Sequence, residues 1–366
     1  MFRAAFAAIF AAALTLLTAG RSTAEPLLLF DPAADNVIYA QEADQPWHPA
    51  SLTKIMTAYV TFEAIKKGQI TLETKIPCSA YAHTMPASKL GLPIGAEITV
   101  ELALKALIVK SANDVAIMLA EAVGGTYEGF IARMNATAKR LGMRRTNFVN
   151  ANGLPAEAQV TTARDLARLS AAVLRDFPQY NHIWAQPSVK IGRRRLRSHN
   201  SLLRTFEGAD GLKTGFICDS GFNIVASAER GGRRLIAIVL GATTPQNRAI
   251  RAASLLEHGF SMGPWKLFFS SRTALASLPT SATSSSAPSV RGTLPVPSCN
   301  PRLVRRRHAR RRARIRALRH KRRKDLARRR SQSKPKPKSQ SQSQSQSKPA
   351  ANGANIATSS APTVKR

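Results

Sequence analysis

The sequence predicts an α+β fold, in which an antiparallel sheet built from sequence-distant strands stands beside a mostly helical lobe. Three observations point to it. Strand-like apolar runs occur at residues 27–30 and 37–40 and recur only beyond residue 189. Between them, apolar residues return at helical spacing in one segment after another. Near the end of this region Gly231 and Gly232 separate two β-type runs, residues 225–230 and 234–241, as in a two-residue hairpin. Strands at both ends with helices between them pair across a long sequence separation.

The elements follow in order. Residues 1–24 begin with a basic residue, Arg3, then hold an apolar run from 4 to 19 and, after Arg21, a small-x-small site at Ser22-Thr23-Ala24. This is the pattern of a secretory signal peptide cleaved before Glu25. The apolar run is short for a bilayer span, which takes about 20 residues. Residues 27–30 and 37–40, joined by a turn-rich 31–36, predict a β-hairpin. Leu52, Ile55, Met56, Tyr59 and Val60 predict a helix that ends at Gly68. Residues 71–93, with Pro77, Pro86 and Pro93, predict an irregular lobe. Helices are expected at 99–110, 115–123, 127–141 and 162–177, a strand at 210–216, and a closing amphipathic helix at 245–260.

Charge divides the chain. The formal net charge is +34, yet beyond residue 265 Asp325 is the sole acid, so most of the excess belongs to the last hundred residues. The expected organisation is a folded domain at 25–265, a Ser/Thr/Pro-rich linker at 266–301, an Arg-rich segment at 302–330 and a low-complexity, disordered tail at 331–366. Residues 302–330 carry 17 Lys or Arg. Taken alone they satisfy the charge test for a nucleic-acid-binding protein, but an exported chain rarely meets nucleic acid, and none is expected as a partner. The three cysteines leave at least one unpaired. A Cys78–Cys218 bridge and two buried free thiols are both compatible with the sequence. The seven histidines are scattered and no metal-ligand cluster or cofactor motif is present.

The chemistry is expected around Ser51 and Lys54. Three residues apart at the start of a helix, they share one face. An amine desolvated in an apolar helix can lose its proton and accept that of the hydroxyl. A helix cap beside a solvated lysine gives the same pattern, which recurs in the tail at Ser331/Lys334 and Ser345/Lys348. Two further stretches separate these readings: Ser111-Ala112-Asn113, between two apolar runs, and Lys213-Thr214-Gly215 on the 210–216 strand. Ser-x-x-Lys, Ser-x-Asn and Lys-Thr-Gly in this order form the signature of the penicilloyl-serine transferases.

With Ser88-Lys89-Leu90-Gly91-Leu92, Asn150-Ala151-Asn152-Gly153-Leu154, Thr162-Ala163-Arg164-Asp165-Leu166 and Gly221-Phe222-Asn223, the chain resembles the low-molecular-mass penicillin-binding proteins, the serine D-alanyl-D-alanine carboxypeptidases, from about residue 26 to about residue 260. The resemblance implies a β-lactamase/transpeptidase-like fold with the site between the lobes. It implies Ser51 as nucleophile, Lys54 as base, Ser111 as proton relay and Asn113 as a contact to the substrate amide. Lys213, Thr214 and, by a looser match, Arg248 would hold the substrate carboxylate. Gly215 would let the substrate backbone lie along the strand, and the amides of Ser51 and Phe216 would hold the oxyanion. The implied substrates are peptidoglycan stem peptides, the implied inhibitors β-lactams, and the implied location the periplasm or envelope. A D,D-endopeptidase shares these motifs. A serine β-lactamase needs a deacylating carboxylate, and no Glu-x-x-Leu-Asn stretch lies between Asn113 and Lys213. A non-catalytic polyanion- or wall-binding protein is the alternative of a different class. Relatives often carry a second, β-rich domain, which this sequence lacks, and the basic segment is expected to meet anionic membrane or wall polymer instead.

Overall fold

The structure, a computed structural model, describes residues 25–192, 194–262, 272–280, 287, 289 and 296–332. The expected signal peptide and the part of the expected tail beyond residue 332 lie outside the described residues. The strands are β1 (Leu27–Asp31), β2 (Asn36–Gln41), β3 (Lys75–Pro77), β4 (Glu97–Thr99), β5 (Ser188–Ile191), β6 (Arg194–Arg197), β7 (Ala209–Ile217), β8 (Gly221–Arg230) and β9 (Arg233–Ala242). The longer helices are α1 (Thr53–Lys66), α2 (Val100–Lys105), α3 (Asn113–Gly124), α4 (Tyr127–Arg140), α5 (Ala163–Asp176), α6 (Pro245–Ser261) and α7 (Pro301–Gln332). By contact the chain falls into two units, residues 1–305 and 306–366.

Five strands form an antiparallel sheet in the order β2-β1-β9-β8-β7, so the two ends of the domain meet where β1 pairs with β9. The β8–β9 hairpin turns at Gly231 and Gly232, both at positive φ (56° and 74°), which a two-residue turn of matching twist demands. Side chains alternate across the sheet. Leu28, Phe30, Ile236, Ile238 and Leu240 join the larger core around α1, whereas Leu29, Leu235, Ala237 and Val239 join a second core that includes Ala252 and Leu256 of α6. Both faces are covered. Burial on both sides is why β1 and β9 carry continuous apolar runs, Leu27 to Phe30 and Leu235 to Leu240, rather than an alternating pattern.

α1 is the axis of the larger core: eleven of its side chains are buried, and each fully buried Ile, Met or Phe contributes on the order of 1.5–3 kcal/mol. Thr126, Thr162 and Thr244 cap α4, α5 and α6 by accepting backbone N–H bonds. The 71–93 region is less irregular than its prolines suggest, since β3 pairs with β4 and residues 80–84 form a short helix. The helix expected over 99–110 is interrupted: α2 ends at Lys105 and a π-helical turn, Ala106–Lys110, delivers the chain to Ser111. Among the described residues no single helix is long and apolar enough to cross a bilayer.

The C-terminal stretch differs from its expected form in three ways. First, the described parts of the presumed linker are docked. Val37 N donates to Thr273 O at 2.8 Å, and Leu275 and Val296 are buried. The anchor is Arg164, whose guanidinium pairs with Asp44 and also donates to the carbonyls of Leu275, Leu278 and Pro279. A buried charge needs this many partners, and backbone carbonyls supply those that side chains do not. Second, Cys218 bonds to Cys299 rather than Cys78, which is buried and free. Residues 296–299 lie against the end of β7 because Val296 packs into the second core. Third, the Arg-rich segment, for which no secondary structure was expected, lies on a helix, Pro301–Gln332. Arg, Ala, Lys and Leu are strong helix formers and no Gly or Pro interrupts them after Pro301. Leu303, Ile315 and Leu318 stay exposed on this helix.

Candidate active site

The turn before α1 is set by its neighbours. Asn223 of β8 donates to His48 O at 3.0 Å while its own oxygen accepts from Gly241 N at 3.0 Å. Trp47 Nε1 donates to Ser220 O. Held from the sheet side, the chain enters a 3₁₀ turn with Ala50 at φ +49°, a left-handed conformation that costs a non-glycine residue on the order of 1 kcal/mol. Gly153 lies directly against it: a Cβ there would stand 1.9 Å from Ala50 O. Gly215 of β7 lies on the opposite side, where a Cβ would come within 2.9 Å of Pro49 O and 3.1 Å of Ser51 N. Gly215 is thus needed for packing of the strand against the Ser51 turn.

Ser51 opens a helix whose first turn buries Lys54 completely. Lys54 Nζ donates to Ser51 Oγ at 3.1 Å, to Asn113 Oδ1 at 2.8 Å and to Asn152 O at 2.5 Å. Burial drives the Lys54 pKa well below its ordinary value; the charge of Lys213 lowers it further and that of Asp114 opposes. Ser111 follows the π turn at φ +59°, a second non-glycine left-handed residue, and its Oγ accepts from Lys213 Nζ at 2.8 Å. Lys213 is pushed down to about 7, first by burial and then by Arg248. The sheet supplies Lys213, Thr214, Gly215 and Phe216, and the helical lobe supplies Lys54, Ser111 and Asn113.

A cavity of about 440 Å³ opens between them, lined by Ser51, Ser111, Asn113, Thr214, Gly215, Phe216 and Arg248. Lys54 and Lys213 stand behind this lining. All nine residues expected from the sequence thus gather at one place. Arg248 reaches in from the first turns of α6, buried, with Nη2 donating to His199 O at 3.1 Å and no hydrogen-bond partner at Nε. Burial lowers its pKa to about 10. The sequence reading assigned no role to the wall residues Ala87, Ser88, Leu154, His199, Ile217 and Phe222. It also missed the Asn152 carbonyl, although the Asn150–Leu154 stretch had marked the neighbourhood. Not one carboxylate lines the cavity. Among the described residues no group of three or more His, Cys, Asp or Glu could hold a metal ion. The arrangement suits acyl transfer: a nucleophile at a helix start, an amine base in contact with it, and cations for an anionic substrate.

A sequence model of the D-alanyl-D-alanine carboxypeptidase family matches residues 15–244. The D-alanyl-D-alanine carboxypeptidase DacC of Escherichia coli is 39% identical over 240 residues, which cover 64% of this chain and 60% of that protein. DacF of Bacillus subtilis is 32% identical over 242 residues, covering 65% and 62%. The chain thus spans about three-fifths of the length of these curated relatives. Among solved structures, the carboxypeptidase DacD of Francisella tularensis superposes with a TM-score of 0.63 at 31% identity, over 65% of this chain and 70% of that one. Penicillin-binding protein D2 of Listeria monocytogenes in its cefotaxime-bound form gives 0.59 at 32% identity, over 64% and 96%.

Proposed function

Because the chain belongs to the D-alanyl-D-alanine carboxypeptidase family, we propose that it removes the terminal D-alanine from peptidoglycan stem peptides through an acyl-serine, and that β-lactams acylate the same serine. The observation that carries this reading is the charge balance of the cavity. Lys54, Lys213 and Arg248 are all buried around it and no acid lines it. Such a site is short of negative charge, which a peptide ending in a free carboxylate supplies.

In the proposed reaction Ser51 Oγ attacks the carbonyl carbon between the two D-alanines while neutral Lys54 takes its proton. The backbone N–H groups of Ser51 and Phe216 hold the oxyanion, and Asn113 holds the substrate amide. As the tetrahedral centre collapses, the departing D-alanine amine takes a proton relayed through Ser111. Lys213, Thr214 and Arg248 hold the terminal carboxylate. Water then hydrolyses the ester and frees Ser51. The carboxylate-free lining offers no group to activate that water as a serine β-lactamase requires.

The direct test is incubation of the purified chain with diacetyl-Lys-D-Ala-D-Ala, with a cross-linked dimer as comparison. Release of D-alanine, well ahead of dimer cleavage, is expected; dimer cleavage without D-alanine release would make the enzyme an endopeptidase. A second prediction concerns Lys213→Ala. Losing a charge-assisted bond worth about 2–3 kcal/mol lowers kcat/KM on this tripeptide by roughly 30- to 150-fold beyond any loss on its C-terminal amide. Equal losses on the two substrates would remove Lys213 from carboxylate recognition.

The chain is proposed to work in the bacterial envelope, with residues 302–330 held against anionic lipid. Each basic residue near such a surface contributes about 1 kcal/mol. The exposed Leu303, Ile315 and Leu318 are too sparse for deep insertion. Co-sedimentation of the chain with phosphatidylglycerol-containing vesicles is therefore expected to fall steeply between about 50 and 500 mM salt. A version ending at Pro301 should not sediment at any salt concentration.

A further inference from the structure

The acylation network borders a carboxylate to which the reaction above assigns no part. Asp114, in the first turn of α3, is fully buried. None of the ion pairs among the described residues includes it. Its partners are backbone amides: Oδ1 accepts from Leu90 N at 3.1 Å and Val115 N at 2.9 Å, and Oδ2 from Gly91 N at 2.8 Å. A carboxylate that gives up its water for three N–H groups fixes whatever carries them.

What it fixes is one wall of the cavity. Leu90 and Gly91 end a loop that begins at Pro86. Next to Asp114, Asn113 holds the rest of that loop, its N–H donating to Ser88 O at 2.7 Å and its Nδ2 to Pro86 O at 2.9 Å. Ser88 Oγ closes the loop by donating to Lys110 O at 2.9 Å. Ala87 and Ser88, between these ties, face the cavity beside Ser51. The same Asn113 accepts from Lys54. Loop, amide and base therefore form one assembly, clasped from behind by Asp114.

We propose that Asp114 is a positioning residue for acylation: it clamps the Leu90 and Gly91 amides, sets the wall over Ser51, and places a fixed negative charge behind the Lys54–Asn113 pair. The groups that face Lys54 and Asp114 are Lys213 on β7, which reaches the network through Ser111, and the Cys78 thiol after β3. The thiol is pushed up by burial first, and then by Asp114 and Glu121, with Lys89 opposing. Of these groups Asp114 alone favours the charged form of Lys54.

This inference rests on the acyl-serine reading, so the test is acylation by benzylpenicillin followed by intact mass across pH. An unmodified wild-type chain would defeat that reading itself; the remaining outcomes concern Asp114. Asp114→Asn keeps the shape but loses the charge. Its plateau rate should fall at least tenfold, and its acid limb should move to lower pH, because Lys54 sheds its proton more readily without the carboxylate. Asp114→Glu keeps the charge but displaces the clamp, so the plateau should fall while the limb stays near its wild-type position. A structural role alone would lower both plateaus and move neither limb, and that result overturns the proposal. So would wild-type rates in Asp114→Asn, or the failure of both variants to fold.

Discussion

Ser51→Ala is expected to abolish the single benzylpenicillin adduct that intact mass should show for the unsubstituted chain, and with it the release of D-alanine. β-Lactams present a strained amide in place of the proposed substrate's D-Ala–D-Ala bond, and on the proposed reading the same hydroxyl would open it. No second path is expected: of the other serines that line the cavity, Ser111 accepts from Lys213 and Ser88 donates to Lys110 O, and Lys54 donates to neither. A residual rate more than about 10³-fold below wild type is expected, in line with losses on removing a nucleophile that acts as one unit with its base. The substitution deletes one oxygen at the mouth of a cavity and should leave the melting temperature within a few degrees of wild type. An adduct surviving in Ser51→Ala at a wild-type rate would place the nucleophile elsewhere.

Lys54→Ala should come second in size, slowing acylation at neutral pH by about 10²–10⁴-fold. It also leaves Asn113 Oδ1, Asn152 O and Ser51 Oγ without their shared donor in a buried place, so it should cost stability as well, on the order of 1–3 kcal/mol. Circular dichroism and thermal melting separate the two effects. The pH dependence has a definite sign. Lys54 must be neutral to take a proton, and its pKa lies well below that of a free lysine. Acylation by wild type should therefore fall as pH drops through that lowered value. Lys54→Arg, protonated throughout, should be inactive at every pH. A full rate at low pH, or an active arginine variant, would mean that another group is the base.

Residue types at fixed spacing were legible in the sequence. Ser51 and Lys54 fall one helical turn apart. Lys213 to Phe216 lie on a strand whose length and apolar content announce it. What stayed hidden is carried by atoms that every residue possesses. The Asn152 carbonyl that accepts from Lys54, and the Leu90 and Gly91 amides on Asp114, leave no mark in a string of letters. A further reason for Gly215 stayed hidden for the same cause, because its close neighbour is the backbone of another loop. Cys218 and Cys299 could not be paired in advance, since Ser, Thr and Pro around residues 266–301 announce a linker. Arg164 could have hinted otherwise: a buried guanidinium with one acid partner must find further acceptors, and it finds them in Leu275, Leu278 and Pro279.

The Cys218–Cys299 bond also sets a length. Without it, the stretch of about 20 residues from Pro279, the last carbonyl that Arg164 holds, to Pro301 could extend to roughly 70 Å. With it, the first residue of α7 stands two residues, at most about 7 Å of chain, from a covalent attachment at the end of β7. If α7 is held to a surface as proposed, a body on such a short leash would search a thin layer beside it, and the proposed substrates in this layer would meet it at a high effective concentration. Those farther off are out of range. Cutting the bond would not alter the chemistry at Ser51; it would widen the neighbourhood in which that chemistry is available.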